Sequence, residues 1–135
     1  MGLIKILLGL CKEKGRRGTV GYNAHKMRRE YPMTKSGYFG EKGKSKGKAS
    51  KKEPVRVIQS KNQFETANDF YLKISKGGKE TRLSNGHGKQ KIMKDGGRVV
   101  YREKTSTPDS PAVNLSEMKG KVKNQKIHFE KENKQ

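Results

Sequence analysis

At 135 residues the chain has room for one modest domain and a tail. Its composition (29% hydrophobic, no Trp, mean hydropathy -1.10) excludes a packed core running the whole length. It carries 33 Lys and Arg against 13 Asp and Glu, a formal charge of +20, with 16 basic and 4 acidic groups in residues 1–56 and 17 and 9 in residues 57–135. A field this positive in both halves concentrates polyanions and gains from counterion release, which favours nucleic acid, RNA first, over a membrane surface or plain solubilisation.

The first element is the apolar run Leu3-Ile4-Lys5-Ile6-Leu7-Leu8-Gly9-Leu10. It is far too short to span a bilayer, and it lacks the basic start and small-residue cleavage site of a signal peptide. Leu10 stands where a lipobox needs a small residue before Cys11, and Ile6 where a myristoylation signal needs Ser or Thr. The run reads as a short amphipathic or packing segment, so no stable membrane insertion is expected. Cys11 is the only cysteine, which rules out a disulfide framework and a thiolate metal cluster. Residues 12–56 read as linker, with Gly and Lys alternating from Glu41 to Lys48 and no apolar period. Tyr22, Tyr31, Tyr38 and Phe39 leave room there for a little local order or base stacking. Residues 1–54 are accordingly expected to form a basic leader, largely disordered.

Order is expected from Val55, with a domain over residues 55–130 and a polar tail over 131–135. Val55 to Ile58 suits a short strand. Asn62 followed by Glu65 forms a capping box, and Phe64, Ala67, Tyr71 and Ile74 recur at helical spacing, with Phe70 widening that face. Gly77-Gly78 supplies the stop. Beyond it the period changes to two: Thr81 to Leu83, Lys89 to Lys94 and Arg98 to Arg102 read as strands. Asn85-Gly86-His87-Gly88 and Asp95-Gly96-Gly97 read as the turns between them. Thr105 to Pro111 must be a loop, and Ala112 to Leu115 and Lys126 to Phe129 are the last strands. The predicted fold is α+β, one amphipathic helix on a small antiparallel sheet of four to five strands.

The chain contains no phosphate-binding loop, no dinucleotide fingerprint and no zinc spacing, so neither metal nor cofactor is expected. Three histidines, several hydroxyls and many cations remain. Alternation sends Ile127 and Phe129 to one face of their strand and Lys126 and His128 to the other. An imidazole beside a lysine has a depressed pKa and suits acid–base work on an RNA phosphodiester, against the plain alternative of a surface histidine. His87 lies in a turn that tolerates any polar residue, and His25 lies in the linker. Arg98 and Arg102 share a strand face and suit a scissile phosphate, or simply form a solvated basic strand. The loop from Lys104 to Pro111 gathers Thr105, Ser106, Thr107, Ser110 and Asp109; turn chemistry explains most of that, and phosphate and ribose contacts fit it equally.

The succession Phe64-Glu65-Thr66-Ala67-Asn68-Asp69-Phe70-Tyr71, Lys76-Gly77-Gly78-Lys79, Asn85-Gly86-His87-Gly88-Lys89, Met93-Lys94-Asp95-Gly96, Tyr101-Arg102, Ser110-Pro111-Ala112-Val113 and Gln125-Lys126-Ile127-His128-Phe129 resembles a C-terminal toxin module of bacterial polymorphic toxins, LXG-type and related secreted or prophage proteins. The resemblance runs from about Val55 to Phe129, with Gly37-Tyr38-Phe39-Gly40 as a lead-in. It implies a nuclease, mostly of RNA, that acts in the cytoplasm, is secreted or delivered to a target cell, and is neutralised by a cognate immunity protein. The catalytic positions it implies are His128, Arg102 and Ser106, with the Ser110-Pro111 loop. Lys126, Arg98, Lys104, Thr105, Ser110 and Asn114 are the candidates for substrate binding. The family tends to carry an Asp three residues after the proline, where this chain has Asn114, so this copy is read as a metal-independent ribonuclease in an orphan or attenuated cassette. The alternative is a non-catalytic basic RNA-binding or ribosome-associated protein, and a third is an inactive prophage remnant.

Overall fold

The computed structural model of the chain describes residues 17–43, 54–83, 86 and 88–132. His87, Cys11, the run from Leu3 to Leu10 and the Gly/Lys stretch beyond Gly43 lie outside the described residues. In chain order the elements are helix α1 (Val20–Lys26), strands β1 (Glu41–Lys42) and β2 (Val55–Ser60), helix α2 (Gln63–Ile74), and strands β3 (Lys79–Arg82), β4 (Gly88–Ile92), β5 (Arg98–Arg102), β6 (Ala112–Ser116) and β7 (Gln125–Lys131). The class is α+β. Among the described residues it has two helices and a seven-stranded sheet, one helix and at least two strands beyond expectation.

Helix α2 forms where its cap and spacing place it. The Asn62 side chain accepts from the Glu65 backbone at 3.2 Å and donates to the Glu65 carboxylate at 3.2 Å, closing the capping box. Ala67, Phe70, Tyr71 and Ile74 are buried one turn apart, whereas Phe64 stays 38% exposed at the rim of the predicted apolar face. They pack on the inward positions of the sheet: Val99 and Tyr101, Val113 and Leu115, Ile127 and Phe129. The Phe70 ring meets Phe39 at 5.0 Å and Phe129 at 5.5 Å between centroids.

The sheet runs β1-β2-β7-β6-β5-β4-β3. Every pairing is antiparallel except β2 with β7, which lie parallel with Val57 opposite His128. The sheet is therefore mixed, not the purely antiparallel one expected, because β7 inserts between β2 and β6.

Residues 17–43, expected as part of a leader, belong to the fold. Thr19 caps α1 by accepting from Tyr22 N at 3.3 Å, and Val20, Ala24 and Met27 are buried. The buried Asn23 amide donates to Ile74 O at 2.8 Å and Lys76 O at 3.0 Å, satisfying carbonyls that the end of α2 leaves open. Tyr31 donates to Asp69 at 2.7 Å, which with burial pushes the tyrosine hydroxyl well above its usual range. The fully buried Gln125 side chain accepts from Phe39 N at 2.8 Å and donates to Gly37 O at 3.0 Å, pinning Phe39 into the core. Three apolar residues at helical spacing and one Phe are enough here because they cover the end and flank of an existing helix.

Candidate active site on the open sheet face

The pairing registers define which side chains share the face turned away from α2. Arg102, Ala112, His128 and Val57 lie in one row across β5, β6, β7 and β2. Gln90, Val100, Asn114, Lys126 and Val55 form the adjoining row. Alternation along β7 thus puts His128 on the open face beside Lys126, as expected, with Ile127 and Phe129 at 0% exposure on the other side. Arg102 flanks Ala112 from the opposite side, two strand spacings or about 10 Å from the His128 backbone. Ala112, between them, is fully buried.

His128 is half-buried, and its Nδ1 lies 3.0 Å from the Ser110 hydroxyl. Burial first, and then Lys126, hold the imidazole below its ordinary pKa; Glu130 and the Ser110 backbone oppose them. The ring is therefore neutral at neutral pH. With Nδ1 engaged by Ser110, Nε2 is the ring nitrogen left for acid–base work.

The hydroxyl loop from Glu103 to Pro111 is folded on itself. The Thr105 hydroxyl donates to Ser110 O at 2.7 Å and lies 3.1 Å from Thr107 O, and it accepts from Thr107 N at 3.2 Å. Asp109 adopts a positive φ of 55°, and its carbonyl accepts from the Gln63 side chain at 3.0 Å, tying the loop to the start of α2. Phe129 N donates to Pro111 O at 2.9 Å, which fixes the loop exit beside β7. The loop thus presents Ser110 to the imidazole.

The candidates divide accordingly. His128, Arg102, Lys126 and Asn114 share the open face, and the hydroxyl of the buried Ser110 meets the imidazole Nδ1. Thr105 is a brace within the loop, its hydroxyl committed to the backbone. Ser106 and Lys104 are exposed on that loop. Arg98 stands apart: it is four residues before Arg102, roughly 13 Å along β5, and its guanidinium donates to Gln90 at 2.7 Å. His25 sits on α1 against Arg28, in the helical layer.

Glu130 was missed by sequence reasoning, although the same two-residue alternation that selects His128 puts this carboxylate on the open face next to it. Among the described residues no three His, Cys, Asp or Glu side chains gather as a metal site would require. No helix of the described residues is long and apolar enough to cross a membrane. Comparison with protein-family models, with curated proteins and with solved structures returned no match.

Proposed function

We propose that this protein is a toxin-type ribonuclease domain that cleaves RNA through its own 2′-hydroxyl, with His128 as general base. The observation that carries the reading is the half-buried His128 on the open face, its Nδ1 held by Ser110, with Lys126 and Glu130 flanking it along the strand. A neutral imidazole takes the 2′-hydroxyl proton through Nε2. The 2′-oxygen bonds to phosphorus and the bond to the 5′-oxygen breaks. A 2′,3′-cyclic phosphate remains, and the leaving 5′-oxygen takes its proton from solvent on the open face. In this reading Arg102 and Lys126 stabilise the charge that develops on the phosphate. The exposed Ser106 and Lys104 would meet the flanking ribose or phosphate.

The toxin part of the reading rests on the sequence resemblance: a bacterial module acting in the cytoplasm of a target cell and neutralised by an immunity protein. Asn114 adjoins Lys126 in the row beside His128, where a carboxylate would meet the lysine that faces the phosphate. That placement supports an attenuated copy.

Cleavage of bulk cellular RNA, followed in chelator to exclude a contaminating metal nuclease, tests the proposal. His128→Ala is expected to lose about 100-fold or more in rate, with RNA binding nearly unchanged because phosphate contacts dominate affinity. Asn114→Asp is expected to cleave faster. Undiminished cleavage by His128→Ala overturns the mechanism. Binding without cleavage by both wild type and Asn114→Asp leaves the non-catalytic RNA-binding reading in its place.

A further inference from the structure

A cleft of about 630 Å³ opens between α1 and the end of α2, in the helical layer and so across the sheet from His128. Among the described residues its walls carry Arg17, Lys26, Lys73, Lys76 and Lys94 against a single carboxylate, Glu30. Glu30 is already paired with Lys73, which also bonds Asp69 at 3.1 Å. Among the described residues no carboxylate lies within ion-pair distance of Arg17, Lys26, Lys76 or Lys94. Four uncompensated cations around one concavity repel one another and raise its potential, which is a cost to folding and a gain to an anion.

The backbone holds these charges close. Lys94 N donates to Gly18 O at 3.0 Å, joining the turn after β4 to the start of α1. A Cβ on Gly18 would lie 2.7 Å from Lys94 Cδ, and one on Gly77 would lie 2.8 Å from the Gly18 Cα. The absent side chains therefore let the Lys94 stem lie across Gly18 and bring three chain segments to one point. Tyr22 adds an aromatic ring with Lys26 Nζ 5.7 Å from its centroid, and its phenol, held by Arg17 and flanked by Lys26, is drawn below its usual range.

We propose that this cleft is a second nucleic-acid site, which takes the phosphodiester backbone of a single strand through Arg17, Lys26, Lys76 and Lys94, with Tyr22 at its floor. Phosphates match four fixed cations spread over a groove, and cations interleaved with an aromatic ring are the elements of strand binding without base readout. The inference rests on reading the protein as an RNA binder and is independent of cleavage. The cleft would hold one part of a strand while another part lies on the open face.

The probe is a fluorescein-labelled oligodeoxynucleotide, which lacks the 2′-hydroxyl, bound to the full-length His128→Ala protein and followed by anisotropy over a salt series. Binding to it is therefore separate from the cleavage reading. Replacing Lys26, Lys76 and Lys94 by Gln, all exposed, is expected to weaken binding at least 10-fold at moderate salt and to reduce the slope of log affinity against log salt by about two to three. The control replaces Lys35, Lys121 and Lys123, also exposed and not among the residues lining the cleft, by Gln; it is expected to change affinity less than threefold. Equal losses in the two triple variants, reporting bulk charge alone, would overturn the proposal. So would an unchanged affinity in the cleft variant. Photo-crosslinking from the probe into residues 17–26 would support it, and crosslinks confined to the open face would overturn it.

Discussion

The two faces of the sheet are cut from the same strands yet answer to different physics. Toward α2, the β7 residues Ile127 and Phe129 have no exposure and meet aromatic rings. One residue away on the same strand, Lys126, His128 and Glu130 face outward with partial solvent. The inward face is selected by volume and shape, and its error is a cavity. The outward face is set by charge and hydrogen-bond direction, and under the proposed function its error is a lost proton transfer or phosphate contact. A register slip of one residue would exchange the two roles, so the core that fixes register also places the imidazole.

Four substitutions put this contrast under strain. Phe70→Ala removes the ring shared by Phe39, Phe129 and Tyr31 and is expected to cost about 3–5 kcal/mol in urea unfolding. The molecules that remain folded should cleave RNA at the wild-type rate. A loss below about 1 kcal/mol would mean that this face is not the core described. Asn23→Ala, which strips two hydrogen bonds from the carbonyls closing α2, is expected to cost about 1–3 kcal/mol and to let a protease cut within residues 17–43 before it reaches the sheet. Cleavage first within β3 to β7 would show that α1 is not docked through this amide.

The smallest effect lies on the open face, in the titration of His128. Its NMR midpoint is expected below the ordinary imidazole value, moving up in Lys126→Gln and down in Glu130→Gln, since the first removes a cation and the second an anion. As pH falls, the unfolded chain takes up this proton before the folded one does. The stability of the neutral ring is thus present above the ordinary value and is lost as pH falls through the folded midpoint. A midpoint at or above the ordinary value would mean that the ring is solvated and not half-buried as described.

Much of this arrangement was legible in the sequence, and the gaps have physical causes. Strict alternation around Ile127-His128-Phe129 and Arg98-Val99-Val100-Tyr101-Arg102 showed which side chains share a face, because the period of a strand is local. Alternation does not show which strand lies alongside, so the parallel pairing of β2 with β7 and the remoteness of Arg98 from His128 could not be read from it. Helix α1 escaped notice because three apolar residues among lysines and glycines do not make a core alone; they become one only against α2. Gln125 gave no signal either, since a buried amide looks like any polar residue until its partners at Gly37 and Phe39 are known. Ser110 drew attention for its hydroxyl, but its contact with the imidazole was not foreseen. The turn that aims it at Nδ1 depends on Thr105, Asp109 and Gln63 together, and no local pattern joins those three.

The position of β7 has a consequence for how the molecule comes into being. It is the last of these strands to leave the ribosome, yet it lies between β2 and β6 and joins a two-stranded piece to a four-stranded one. A nascent chain that has emerged only as far as β6 lacks Ile127 and Phe129 from its core, the hydrogen-bonding edge that unites the two pieces, and the imidazole itself. Assembly must wait for contacts between residues separated by most of the domain, which makes closure slow relative to formation of the local hairpins. The event that completes the sheet is also the one that installs His128, so unfinished chains carry the positive charge of the protein without its proposed base.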